Sequence, residues 1–162
     1  MDDKIASFVR AIGAVRIDLR GCDYHERRRF AMPNYFQVGS TRLIIKIRKI
    51  KPNQRPFWGA GVRQIEILDR LGPYYLVLLI SDREGWFLSH TEIAGFIENL
   101  DSDRKNPCWS RGKKGEKSDN ENQYKINPPL PDTNLFKSPE EFLRKIPLTR
   151  TGIEAEKVIG QE

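Results

Sequence analysis

The sequence predicts an α/β domain with a central mixed sheet flanked by helices, and three patterns indicate this class. Residues 74–80 form an apolar run without alternation, which is typical of a strand covered on both faces. Apolar residues recur at helical spacing in residues 2–12 and again in residues 62–71. An amphipathic helix therefore begins the chain, and another precedes the apolar run. A strand that follows a helix favours a parallel β-α-β crossover, with residues 74–80 as the middle strand.

Residues 32–51 predict two more strands, joined by a turn at Gly39 and Ser40. Side chains of a strand alternate between its two faces. In the second strand one face carries Leu43, Ile45 and Ile47, and the other carries Ile44, Lys46, Arg48 and Ile50. Two cations thus project from a strand that is otherwise core-like. Because burying an unpaired charge is costly, we expect both heads to reach water, an acidic partner or a ligand anion.

Other segments carry local signals for strands, turns and helices. Residues 15–20 alternate strictly, which predicts a half-buried strand with Asp18 on its polar face. Residues 57–61 are rich in glycine and predict a tight turn before the second helix. Capping signals at Ser89 and Ser138 indicate where the third and fourth helices begin.

The chain is expected to form one domain over residues 1–148, with a mobile charged loop at residues 101–123 and a polar tail at residues 149–162. No apolar run approaches the roughly 20 residues that a membrane helix needs, so no membrane contact is expected. Cys22 and Cys108 are the only cysteines, which implies no disulfide framework and predicts a cytoplasmic location.

The positive charge of the chain is concentrated in one segment. The net charge is +6, yet residues 20–63 alone carry eleven bases against two acids. Such clustering attracts polyanions and adds a salt-dependent contribution to binding. The segment includes the strand with the two projecting cations, so we expect phosphate binding there. The expected nucleic-acid contacts are Arg28, Arg42, Arg48, Lys49 and Arg55.

The order helix, three strands, helix, strand resembles the core of the PD-(D/E)XK nucleases, over roughly residues 2–100. Pro33 and Asn34 stand where that family has Pro-Asp. Either Lys46-Ile47-Arg48 or Ile44-Ile45-Lys46 stands where it has (D/E)-x-K. Both acids of the family motif are absent from these positions.

The resemblance implies a restriction-endonuclease-like fold and a metal-dependent DNA endonuclease. Its catalytic residues would be Lys46, Asn34 and Asp18, with Asp18 and Asn34 as ligands of Mg²⁺. The lysine of this family orients the attacking water or stabilises charge at the scissile phosphate. The expected partner is double-stranded DNA, and a homodimer is left open.

Because the motif acids are missing, alternatives stay open. An active site would need a carboxylate from Asp18, Glu66 or Asp69. Without one, the chain would be a nuclease-like accessory subunit that binds nucleic acid and does not cut it. A third alternative is an intracellular interaction domain whose basic face binds an acidic protein. Lys46 would have a purely structural role if it formed an ion pair with Asp18 or Glu66.

Overall fold

The computed structural model describes residues 2–17, 34–53, 55–98, 109–111, 123–127 and 130–146. The helices are α1 (Asp3–Ile12), α2 (Val62–Leu71), α3 (His90–Glu98) and α4 (Pro139–Lys145). The strands are β1 (Val15–Arg16), β2 (Tyr35–Val38), β3 (Thr41–Ile47), β4 (Trp58–Gly61), β5 (Tyr75–Leu79), β6 (Gly85–Ser89), β7 (Trp109–Arg111), β8 (Gln123–Ile126) and β9 (Leu135–Phe136). A mixed sheet has the order β1-β2-β3-β5-β6-β9, and a smaller sheet has the order β4-β8-β7. The predicted α/β class with a central mixed sheet is confirmed.

The parallel pair β3 and β5 lies in the middle of the large sheet. In the register of this pair, Lys46 is opposite Leu78. The other strand pairs of the large sheet are antiparallel. Residues 76–79 of β5 are buried on both faces. The prediction of a covered middle strand is therefore confirmed, and so is the turn at Gly39 and Ser40 between β2 and β3.

Two apolar cores lie on opposite faces of the large sheet. One core joins the sheet to α2 and to the small sheet, through residues that include Ile44, Leu76, Leu78, Ile65, Leu68, Trp58, Tyr124 and Ile126. The other joins it to α1 and α4, through residues that include Leu43, Ile45, Val77, Leu79, Phe8 and Phe142. The alternation predicted for β3 is thus correct, and Lys46 lies on the face covered by α2.

Helix caps occur where the sequence predicts them. Glu92 N–H donates to Ser89 Oγ at 3.1 Å, and Ser89 N–H donates to Glu92 Oε1 at 2.9 Å, which is a complete capping box for α3. Ser138 Oγ accepts from Glu141 N–H at 3.1 Å, with Pro139 in the first turn of α4.

Three segments differ from the sequence predictions. Residues 58–61 form strand β4, not a turn, because β8 supplies a pairing partner that outweighs the weak strand propensity of glycine. Strand β1 spans two residues, and Val15 in it is 64% exposed; the strand lies at the edge of the sheet and is not half-buried. Residues 101–123, expected to be a loop, contain strand β7.

Arg42 anchors the end of α2. The helix ends at Leu71, followed by Gly72 with a φ of 114°. The guanidinium Nη1 of the half-buried Arg42 donates to the Leu71 carbonyl. A cation there satisfies a terminal carbonyl and complements the negative end of the helix dipole. The side chain therefore fixes α2 relative to β3.

Replacing Arg42 should lower stability. We expect Arg42→Met to reduce the free energy of unfolding by about 1 to 2 kcal/mol, because the charged hydrogen bond and its contribution at the helix end are lost. Urea denaturation followed by circular dichroism measures this. The control is Arg83→Met, since Arg83 is exposed in the turn before β6. An equal effect of both variants would contradict the anchoring role.

Candidate nucleic-acid interface

Lys46 lies at the carboxyl end of β3, beside the first turn of α2. Its Nζ donates to Gln64 Oε1 at 2.8 Å. Strand β4 runs directly into α2, and Gly61 is the last residue before the helix. The Gly61 N–H donates to the same Gln64 oxygen at 3.3 Å, as expected for glutamine at the third helical position. One buried amide oxygen thus links the helix start to the lysine.

The surroundings of Lys46 disfavour its charged form. Burial, together with the nearby charge of Lys49, lowers the pKa of Lys46 from 10.5 to about 8. Its partner Gln64 is neutral, and no carboxylate contacts Lys46 within the part of the chain that the structure describes. The ammonium also lies near the positive end of the α2 dipole, which repels it. An anion at this point would relieve all three effects.

Arg48 and Lys49 continue the chain just beyond β3. The carbonyl of Leu79, at the end of β5, accepts from Arg48 N–H and from Trp58 Nε1, both at 2.9 Å. Arg48 Nε is buried and has no hydrogen-bond partner among the described residues. A buried donor without an acceptor costs free energy.

Three lysines lie around Phe57. Lys49 pairs with Phe57 through two backbone hydrogen bonds of 2.7 and 3.0 Å. Lys51 Nζ lies 5.8 Å from the Phe57 ring centroid, and Lys125 Nζ, from β8, lies 5.1 Å from it. At these distances each ammonium is attracted to the ring face by roughly 0.5 to 1 kcal/mol. The ring is therefore covered, and it is only 5% exposed.

We call this group the basic cluster: Lys46, Arg48, Lys49, Lys51 and Lys125. None of its members contacts a carboxylate in the described portion of the chain. The two sheets bring these side chains together at the end of the molecule where β3 and β5 finish. In α/β proteins ligands bind outside the carboxyl ends of parallel strands.

The other predicted site residues are placed as follows. Asn34 directly precedes β2 in a left-handed conformation, with a φ of 62°, and its carbonyl accepts from Ile45 N–H at 3.0 Å. Its backbone is thus next to the strand that carries Lys46. Asp18 and Arg28 lie outside the described residues. Arg42 contacts the opposite end of α2 from Lys46, and Arg55 is exposed in the loop before Phe57.

The two helix carboxylates considered for a metal, both among the described residues, make no hydrogen bond or ion pair with Lys46. Glu66 is exposed on α2. Asp69 lies five residues after Gln64, about 7.5 Å further along the helix axis. Burial raises the pKa of Asp69, and the neighbouring His90 opposes that shift. Among the residues described, no three or more His, Cys, Asp or Glu side chains form a group that could hold a metal ion.

Sequence reasoning named no contact at three residues of this region, Gln64, Lys51 and Lys125. Gln64 had a usable signal, because glutamine three residues after a helix-capping position commonly folds back on the helix start. Lys125 had none, since its position depends on the pairing of β4 with β8, which joins segments more than sixty residues apart. Phe57 is buried, although residues 57–61 were predicted to form a turn.

Comparison of the chain with protein-family models, with curated proteins and with solved structures found no match. The class that the fold defines is therefore an α/β protein with a mixed central sheet. In the described part of the chain, no helix combines the length and the apolar character needed to cross a membrane.

The lowered pKa of Lys46 makes its contribution to stability depend on pH. The folded pKa, about 8, is below the unfolded value of 10.5, so the folded state binds the proton more weakly. The charged lysine destabilises the fold below pH 8, and this penalty shrinks between pH 8 and 10.5. We expect Lys46→Met to be more stable than the unmodified protein near pH 7, with a difference that decreases through this range. A pH-independent difference in urea denaturation would contradict this.

Proposed function

We propose that this protein binds nucleic acid through the basic cluster at the carboxyl end of β3. The observation that carries the proposal is the convergence of five cations that contact no carboxylate in the described residues. Cations held together without counter-charges repel one another, and phosphates provide the missing charge. The cluster includes side chains from both sheets, since Lys46 lies on β3 and Lys125 on β8.

The arrangement of the elements supports a protein of the PD-(D/E)XK nuclease type. Helix α1 is followed by the antiparallel strands β1, β2 and β3, and α2 then connects to β5, which is parallel to β3. The resemblance rests on the order helix, three strands, helix and strand, and the structure adds the strand β4 between β3 and α2. Lys46 lies on the third strand and Asn34 precedes the second strand at the same end. These positions favour double-stranded DNA as the nucleic acid.

Binding without cleavage is the function that the site supports best. A magnesium ion in proteins is held by one or two carboxylates together with phosphate oxygens. The described residues near Lys46 provide Gln64 and the amide Asn34, which carry no charge, so they do not fit a magnesium site. We therefore propose that the protein is a nuclease-like accessory or recognition subunit.

Metal-dependent DNA cleavage is the second candidate, and the position of Lys46 favours it. A partly buried lysine at this strand end can stabilise charge as it develops on a phosphate. The metal carboxylate would then come from outside the described residues, where Asp18 is the candidate. An acidic protein as partner is a weaker alternative, because it needs carboxylates matched to all five cations.

Duplex binding should depend on the basic cluster and on salt. We expect Lys49→Gln with Lys51→Gln to weaken binding and to reduce the slope of log affinity against log salt by about 0.9 for each lost phosphate contact. The control, Lys4→Gln with Lys137→Gln, removes the same charge from exposed positions elsewhere. Fluorescence anisotropy with a labelled duplex measures both. Equal effects of the two pairs, or equally tight binding of polyglutamate, would argue against the proposal.

A cleavage assay separates the two candidates. We expect the protein to bind plasmid DNA in Mg²⁺ or Mn²⁺ without cutting it, because the described site lacks a charged metal ligand. Gel electrophoresis beside EDTA controls detects any cut. Metal-dependent cutting that is lost in Lys46→Met and in Asp18→Asn would establish the second candidate. Cutting that persists in both folded variants would show that the site lies elsewhere.

A further inference from the structure

The amine of Lys46 is held by a partner that does not fix its charge. Its Nζ donates to Gln64 Oε1 at 2.8 Å, and the same oxygen accepts from the Gly61 N–H at 3.3 Å. An amide oxygen accepts an N–H from a charged lysine or from a neutral one, whereas a carboxylate would favour the charged form. The contact therefore positions Nζ and leaves it able to lose a proton.

Two conditions that make a lysine nucleophilic occur together at Lys46. A lysine amine attacks a carbonyl group in its neutral form, and proteins favour that form by desolvating the side chain or by placing a second cation near it. Lys46 is half-buried, with the apolar Leu78 opposite it on β5, and the charge of Lys49 acts on it. With a pKa of about 8, roughly one lysine in ten is neutral at pH 7 in the free protein.

The elements around Lys46 do not restore its charged form. Strands β4 and β5 contain no charged residue. The charged residues nearest to Gln64 along α2, Arg63 and Glu66, are both exposed, and β8 contributes the cation Lys125. Among the described residues no carboxylate forms a hydrogen bond or an ion pair with Lys46. The side chain thus combines a fixed position with an amine that is available for reaction.

We propose that Lys46 forms an imine with the aldehyde of an abasic site in a bound duplex and cleaves the strand there without a metal ion. This inference rests on the proposed function and adds a substrate and a reaction to it. In intact DNA each sugar is a glycoside and has no free aldehyde. Loss of a base allows the sugar ring to open, and C1′ then becomes an aldehyde carbon. An abasic site is therefore the electrophile that a DNA strand offers to a lysine amine.

The reaction needs no co-reactant other than water. The lone pair of neutral Nζ forms a bond to C1′, the aldehyde oxygen leaves as water, and an iminium ion remains. Overall, one ammonium and one aldehyde give one iminium and one water, so the positive charge is conserved. Phosphates that attract the ammonium of Lys46 consequently stabilise the iminium as well.

Strand cleavage follows from the same iminium. It withdraws electrons from C2′, whose proton passes to solvent. The C3′–O bond then breaks, and the phosphate leaves with the electron pair. Water hydrolyses the unsaturated iminium and regenerates Lys46. Because intact DNA lacks the aldehyde, this activity leaves an undamaged plasmid uncut.

A small sugar phosphate also combines an aldehyde with a phosphate. One phosphate group balances only part of the charge of the basic cluster, which has five cations from two sheets. A strand has phosphates on both sides of each sugar and continues beyond them, so it balances more of this charge. The abasic duplex is therefore the substrate that we infer.

The test incubates the full chain with a labelled duplex that contains one abasic site, in EDTA. Cyanoborohydride reduces an imine to a stable amine, so we expect a protein–DNA adduct on a denaturing gel, and mass spectrometry should locate it on Lys46. With the duplex saturated, Lys46→Arg should reduce the adduct about tenfold or more, because arginine keeps the charge and forms no imine. The control Lys137→Arg changes an exposed lysine outside the basic cluster and should leave the adduct unchanged. Without the reductant, the strand should be cut at the abasic site.

Four results would overturn the inference. An adduct located on Lys49, Lys51 or Lys125, or spread over many lysines, would show that Lys46 is not the nucleophile, and this measurement needs no variant to fold. No adduct with a duplex that the protein binds would refute the reaction and leave the proposed function standing. Equally efficient trapping of ribose 5-phosphate on Lys46 would make a small sugar phosphate the substrate. An unmodified protein with no salt-dependent affinity for intact duplex would refute the proposed function, together with this inference.

Discussion

The parallel pairing of β3 with β5 is the constraint on which the arrangement of the site depends. Parallel neighbours need a crossover, and α2 is that crossover, so the helix runs antiparallel to both strands. Its first turn therefore lies at the carboxyl end of β3 and its last turn at the amino end. Arg42 and Lys46 are about 13 Å apart along the strand, close to the length of the helix between Gln64 and Leu71, about 10 Å. Each cation consequently contacts one end of α2.

The two ends of α2 give two similar cations opposite roles. At the carboxyl end of the helix a cation complements the dipole, and Arg42 there donates to a terminal carbonyl. At the amino end a cation opposes the dipole, and Lys46 there has only a neutral amide as partner. The sequence predicted phosphate binding for both residues because both lie in the basic segment 20–63. The fold gives Arg42 a stabilising contact and places the ammonium of Lys46 where its charged form is disfavoured.

The elements that could be predicted are those whose signal is local. The apolar run of β5, the helical spacing in α1 and α2 and the turn after β2 are all local signals, so strands β2, β3 and β5 of the large sheet followed from the sequence. The small sheet did not, since residues 58–61 have weak strand propensity and their pairing with β8 depends on distant segments. The contact between Lys125 and the Phe57 ring depends on the small sheet, so it could not be predicted either. The sequence thus indicated the part of the candidate site that lies on β3, and it gave no signal for the part that lies on β8.

The pKa of Lys46 would change if an anion were bound beside it, and this link helps to interpret the proposed site. A structural lysine normally has a carboxylate partner that raises its pKa, and a lysine that helps a bound metal has acids nearby as well. Lys46 instead has a neutral partner and a pKa lowered to about 8. A phosphate beside it would raise that pKa and offset the cost of burying the charge. The environment of Lys46 is therefore one in which a bound anion would stabilise the fold, and the acids at the corresponding positions of the nuclease motif would oppose that effect by supplying the negative charge themselves.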